Sequence, residues 1–309
     1  MTPLTAATLR GTWVCPLLPI QADDSIDFGA LAAQIDYLVA SGVQGLYTNG
    51  TAGEFYAQTE DECDRVQALV AEKCERARLP FQLGASHMSA QVSLGRVRRA
   101  AALRPGAIQV ILPDWWPPSD AEAVAALARF AEAAAPVPLM LYNPPHAKRV
   151  LQPTDYRALV AGVPALIGLK VLGGDAAWYA AMQEYAGRLA LFVPGHHLAT
   201  GVGLGAHGSY SNVACLHPRG AARWYGQMQH DRPAALDLER RIKGFIVDQL
   251  VPAARAGSYS NQALDKLLAA IGGWGNAGTR LRWPYRGFPP EAVPALQVVA
   301  RQALPELWE

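Results

Sequence analysis

Apolar residues fall into short runs that recur every 20 to 35 residues or so along the first two thirds of the chain. Eight such runs are predicted as strands: Thr12–Ile20, Val43–Asn49, Pro80–Ser86, Ala107–Leu112, Pro138–Asn143, Ala165–Val171, Ala190–Gly195 and Gly208–Ala214. Most are near-continuous in apolar character, as parallel strands covered on both faces should be. Between them the period lengthens to that of a helix. Phe28, Leu31, Ile35 and Leu38 line one face after the first strand. Thr59 to Glu62 and Ser119 to Glu122 both have the form of a capping box, which satisfies the free donors of a first helical turn. Eight strand–helix units within residues 1–215 predict an α/β fold, a (β/α)8 TIM barrel. The strand signal then stops. Residues 216–309 read as a helical C-terminal extension packed on the barrel, interrupted by a Gly- and Arg-rich stretch at Gly272–Gly287. A doubly wound open sheet would want a glycine-rich phosphate turn after an early strand, and no GxGxxG or P-loop pattern is present.

One residue breaks the apolar pattern where a barrel keeps its chemistry. Lys170 closes the run Ala165–Val171 and is the only lysine between Arg149 and Lys243. Apolar surroundings penalise an ammonium more than a free amine, so burial lowers a lysine's pKa. A neutral amine can attack a carbonyl and form a Schiff base. The ordinary alternative is a strand-end lysine that snorkels to solvent or pairs with a carboxylate. Other polar groups gather at the same ends, where a barrel's site is expected. The second run leads into Thr48-Asn-Gly-Thr-Ala-Gly-Glu54, the fifth ends in Tyr142-Asn-Pro-Pro145, the seventh in His196-His197, and the eighth carries Ser209 and Ser211.

Bulk properties narrow the classes. Hydrophobic residues make up 51% and charged residues 17%, which is globular composition. A net charge of +1 provides no general attraction to nucleic acid or to anionic membranes. No apolar stretch has the length of a membrane span, and the first ten residues lack a basic leader and an apolar h-region. A cytoplasmic location is the resulting expectation. Cysteines 15, 63, 74 and 215 form no CxxC pair and no disulfide framework, and Cys63 and Cys74 share a helical face with Val66 and Val70.

Taken in order, Gly50-Thr-Ala-Gly-Glu54, Tyr142-Asn-Pro-Pro145, Gly168-Leu-Lys170 and Gly205-Ala-His-Gly-Ser-Tyr-Ser211 resemble four markers of one family. It comprises the pyruvate-dependent class I aldolases of the dihydrodipicolinate synthase and N-acetylneuraminate lyase superfamily, and the resemblance spans nearly the whole chain. It implies that Lys170 forms a Schiff base with pyruvate or another 2-oxo acid, with no further cofactor. The iminium then serves as an electron sink for making or breaking a bond. It implies that Tyr142 shuttles protons and that Thr51, with the backbone N–H groups of Thr51 and Ala52, holds the substrate carboxylate. Gly50 and Gly53 would permit the turns of that loop, Glu54 would fix it, and Pro144 and Pro145 would lock the segment after Tyr142. Relatives are commonly tetramers of tight dimers, so a homotetramer or homodimer is expected.

The departures bear on the second substrate. Ala52 stands where dihydrodipicolinate synthases usually carry a second hydroxyl residue. Ala147, followed by Lys148 and Arg149, stands where they usually carry an arginine. Both speak against authentic synthase activity. His196 and His197 stand where many relatives have acidic residues that touch the second substrate. On a continuous strand only one of the two would face the barrel mouth. Trp115 and Trp116 are candidates to roof an extended substrate or to pack at a subunit contact. The expected substrate-binding set is thus Gly50, Ala52, His196, His197, Ser209, Ser211, Trp115 and Trp116, with Lys170, Tyr142 and Thr51 catalytic. Arg280–Arg286 reads as a structural segment. A lyase acting by aldol cleavage or addition on 2-oxo acids and aldehydes is the expected function, with dehydration of a 3-deoxy-2-oxo sugar acid as a variant. Two rivals belong to other classes: a metal-dependent barrel hydrolase using His196, His197 or His207, and a non-catalytic 2-oxo acid sensor.

Overall fold

The computed structural model describes residues 1–309. Eight strands, β1 (Gly11–Val14), β2 (Gly45–Tyr47), β3 (Phe81–Gly84), β4 (Ala107–Val110), β5 (Leu139–Tyr142), β6 (Leu166–Lys170), β7 (Ala190–Pro194) and β8 (Gly208–Tyr210), follow one another around a closed barrel. Every neighbouring pair is parallel, and β8 closes on β1 with Thr12 opposite Ser209 and Trp13 opposite Tyr210. This is the (β/α)8 barrel that the spacing of apolar runs predicts.

The strands are shorter than the runs that announce them. Thr12–Ile20 reduces to a β1 that ends at Val14, and Val43–Asn49 to the three residues of β2. Gly208–Ala214 divides into β8 and a helix that begins at Asn212. The excess residues remain buried, Leu17, Leu18 and Asn49 among them, so the apolar signal outlasts the hydrogen-bonded ladder. Burial, not pairing, sets the length of an apolar run.

Helices α1 (Phe28–Val39), α2 (Glu60–Ala77), α3 (Ala90–Ala102), α4 (Asp120–Ala134), α5 (Tyr156–Gly162), α6 (Ala176–Met182) and α7 (Leu198–Gly203) cover the barrel between strands. Leu31, Ile35 and Leu38 form the buried stripe of α1. Both capping boxes are formed, at Thr59 on α2 and at Ser119 on α4. Cys63, Val66, Val70 and Cys74 make the inner face of α2, and all four cysteines are free. Inside the barrel, Trp13, Tyr47, Phe192 and Tyr210 pack edge to face or tilted. Gly45 makes room for them: a Cβ there would sit 2.7 Å from the Trp13 ring.

Beyond β8 the chain is helical: α8 (Asn212–Leu216), α9 (Pro218–Gln227), α10 (Arg232–Phe245), α11 (Val251–Ala256), α12 (Asn261–Gly272) and α13 (Val293–Ala303), with one π-helical turn at Ile246–Leu250. Helix α12 is buried along almost its whole length and packs on α8. Arg282 ties the following segment back to the barrel, donating to both carboxylate oxygens of Glu62 and to the carbonyls of Asp24 and Ala57. No helix is long and apolar enough to cross a membrane.

Candidate active site

Lys170 is the last residue of β6, level with Tyr142 on β5 and Phe192 on β7. Its Nζ lies 4.0 Å from the centroid of the Tyr142 ring, 4.9 Å from that of Tyr47 and 5.0 Å from that of Tyr210. Three ring faces attract the ammonium, but none replaces the water it has lost. Burial therefore pushes the Lys170 pKa down, to about 8. The side chain keeps partial access to solvent because it borders a cavity of about 290 Å³ at the C-terminal mouth of the barrel.

The loop after β2 supplies the facing wall. Thr51 Oγ1 is 3.1 Å from the Tyr142 hydroxyl, and both residues line the cavity with Lys170 and Ala52. The backbone N–H groups of Thr51 and Ala52 make no hydrogen bond within the chain. Gly50 lets the loop close on the lysine, since a Cβ there would come 3.5 Å from Nζ and 3.0 Å from the Tyr47 ring. Burial raises the Tyr142 phenol pKa, while the bond to Thr51 opposes the shift. Glu54, at φ 50°, anchors the loop from below through a buried ion contact with Lys266 of α12.

Other predicted residues lie elsewhere. Ser209 is fully buried on β8, where the residues alternating with it, Gly208 and Tyr210, face the barrel interior; it does not line the cavity. Ser211 caps α8 by accepting from the Ala214 N–H, so its hydroxyl is committed to the helix. Trp115 and Trp116 are 73% and 82% exposed and touch neither the main cavity nor the smaller one beside it. Lys148 donates to the Trp115 carbonyl and lies over its ring. Arg149 lines only the smaller cavity and is engaged by Asp120 and the Pro118 carbonyl.

The two histidines do not sit on a strand. β7 ends at Pro194, and Gly195–His197 form a 3₁₀ turn in which the two imidazole rings lie 4.3 Å apart. His196 borders the cavity, held by Asn212 through Nδ1, and His197 does not border it. Burial lowers the pKa of both, His197 to about 4. His207 precedes β8 at the opposite end of the barrel, where its Nδ1 accepts from the Leu191 N–H. The three histidines therefore do not converge, and no cluster of three or more His, Cys, Asp or Glu side chains with metal-binding geometry is formed.

Several lining residues were not anticipated. Tyr210, Asn212 and Cys215 come from β8 and α8, His146 from the loop after β5, and Asn261 and Asp265 from α12. Asp265 is the one carboxylate in the cavity wall and is 6% exposed. Burial raises its pKa to about 7, with Lys170 pulling the other way.

A closed eight-stranded parallel barrel, with a buried lysine and an adjacent tyrosine at its C-terminal mouth, defines the class. Residues 8–265 match the Dihydrodipicolinate synthetase family, and the chain belongs to it. The chain is 30% identical over 251 residues to the 4-hydroxy-tetrahydrodipicolinate synthase of Thermomicrobium roseum, covering 80% of each. It is 33% identical over 168 residues to that of Acidobacterium capsulatum, a match spanning 52% of this chain and only 54% of that one. Among solved structures, the Escherichia coli K12 prophage protein YagE, of the dihydrodipicolinic acid synthase family and bound to pyruvate, superposes with a TM-score of 0.82 at 20% identity, covering 96% of this chain and 98% of YagE. The sialic acid aldolase of Ruminococcus gnavus superposes with a TM-score of 0.83 at 18% identity, covering 97% and 98%. At these identities the structural likeness establishes the fold.

Proposed function

We propose that the chain is a Schiff-base-forming class I lyase that performs aldol cleavage or addition on pyruvate or a pyruvate-derived 2-oxo acid. The carrying observation is the setting of Lys170: a buried amine with its pKa lowered to about 8, beside Tyr142 and open to a cavity. At pH 7.5 roughly one such lysine in four is neutral, against about one in a thousand at the ordinary value. Lys170 attacks the 2-oxo carbon. The free N–H groups of Thr51 and Ala52 receive the substrate carboxylate, and Thr51 Oγ1 orients the Tyr142 hydroxyl. Tyr142 exchanges protons with the carbinolamine oxygen as water leaves. The family match, the resemblance to a synthase and the shared fold with a sialic acid aldolase support a lyase.

Synthase activity itself is not the reading favoured here. Ala52 carries no hydroxyl to extend the Thr51–Tyr142 pair, and Ala147 no charge for a second carboxylate. Of the two cations that follow, Lys148 is turned onto Trp115 and Arg149 is engaged by Asp120. Dehydration of a 3-deoxy-2-oxo sugar acid uses the same enamine and the same residues. The metal-hydrolase rival lacks a converging ligand set at His196, His197 and His207. Borohydride reduction in the presence of pyruvate, followed by peptide mass mapping, tests the proposal through an adduct on Lys170.

A further inference from the structure

Three acids of this protein have almost fully buried carboxylates, and two of them are well supplied with partners. Glu54 contacts Lys266 at 2.6 Å and accepts from the Arg282 N–H. Glu239 accepts from the Thr200 N–H at 2.9 Å and from Lys243 at 2.7 Å, and bonds the Thr200 hydroxyl. Asp265 has only the side-chain amide of Asn261, at 3.5 Å. With one long hydrogen bond inside the protein, the Asp265 carboxyl turns its remaining acceptor capacity to the cavity, where it can meet a ligand. Asp265 also borders the cavity, and its neighbour in sequence, Lys266, is the residue that anchors the Thr51 loop. One turn of α12 thus delivers a paired structural cation and an underpartnered acid side by side.

Asp265 and Lys170 line the same cavity. Lys170 is the only charged group whose field opposes burial at Asp265, and Asp265 in turn supports the Lys170 ammonium. Around it stand Cys15, Tyr47, Tyr56, Tyr142 and Cys215, all neutral hydroxyls and thiols whose pKa values burial raises. Among the other bases in the cavity wall, His146 is exposed at the rim, and His196 is bound to Asn212 with no charge coupling to Lys170.

We propose that Asp265 is a catalytic residue: the base that takes the C3 proton of the Lys170-bound 2-oxo acid and the acid that returns it. The inference rests on the Schiff-base reading of Lys170. C3 is two bonds from the iminium nitrogen, so its base must share the cavity with Lys170, and Asp265 is the one carboxylate that does. The Asp265 carboxylate takes the proton, the C3–H pair forms the C2–C3 double bond, and the C2–N π pair moves to nitrogen. An iminium cation and a carboxylate become a neutral enamine and a neutral acid. Removing two opposite charges from a cavity of low polarity favours that transfer, and a pKa near neutrality suits a group that must both take and give the proton. The step is common to aldol addition, aldol cleavage and dehydration, so it does not depend on the second substrate.

Exchange of the pyruvate methyl protons in D2O, followed by proton NMR with pyruvate alone, tests it. The wild-type protein should exchange the methyl, and Asp265→Asn should slow exchange at least about 100-fold. Borohydride trapping of pyruvate on Lys170 should survive in that variant. Trapping with exchange in Asp265→Asn within about threefold of wild type overturns the proposal, as does a wild-type protein that traps pyruvate but does not exchange it. Loss of trapping in the wild type would instead remove the Schiff-base reading on which the inference rests. Should Asp265→Asn fail to fold or to trap, Asp265→Ala with added formate or acetate decides: restored exchange supports the assignment, and no restoration overturns it.

Discussion

Glu54 and Lys266 meet at 2.6 Å with both side chains completely removed from solvent, joining the loop that carries Thr51 to a helix more than two hundred residues away in sequence. The same ammonium also donates to the Arg280 carbonyl. Lys266→Met leaves the Glu54 carboxyl in the interior without its cation. Its expected cost is about 3–5 kcal/mol of stability. In a denaturant titration, Glu54→Gln/Lys266→Met should lose less than the two single variants summed, because neither partner is then left as an unpaired charge.

Tyr142→Phe removes the hydroxyl that Thr51 orients while keeping the ring against Lys170. Turnover should fall about 10²–10⁴-fold. Thr51→Val should cost less, about fivefold, since one hydrogen bond of roughly 1 kcal/mol is lost and Tyr142 stays. Steady-state kinetics on the two variants checks the order.

The pH dependence follows from Lys170. Its pKa in the folded protein is lowered to about 8 from the ordinary 10.5, so between those values the unfolded chain binds more protons than the folded one. The penalty of burying the ammonium is complete below about pH 8 and is relieved as pH rises toward 10.5. Lys170→Met should therefore stabilise the protein at pH 7, and that advantage should shrink at pH 10, as read by chemical denaturation at the two values. The rate of Schiff-base formation in the wild type should rise through about pH 8, as the neutral amine is populated.

His196 borders the cavity, where it is held by Asn212. His196→Ala should leave pyruvate trapping unchanged and raise the KM of the second substrate. An equal loss of both would place His196 with the Schiff-base machinery instead.

The barrel was legible because parallel strands covered on both faces leave continuous apolar runs, and helices between them leave capping boxes at Thr59 and Ser119. Lys170 stood out because a charge interrupts such a run. Strand ends were harder. Apolar character continues through buried loops, so the pattern carries β7 on to Gly195 and its histidines into the strand, although the chain turns at that glycine. Ser209 and Ser211, at the end of the eighth run, do not form part of the mouth: Ser209 is buried away from the cavity and Ser211 caps α8. Asp265 left a faint trace. A Leu-Asp-Lys-Leu sequence in a helix ordinarily reads as a solvent face, and only the apolar residues on every other side of α12 mark it as buried. Which cavity that helix reaches is a matter of how the C-terminal segment folds over the barrel, and local periodicity does not carry it.

The most direct measurement of the central claim is reduction with borohydride in the presence of pyruvate, read by intact and peptide mass. The account predicts a single reduced pyruvoyl adduct on Lys170, absent from Lys170→Ala. No adduct with pyruvate or with a panel of other 2-oxo acids, or an adduct on a different lysine, would contradict it.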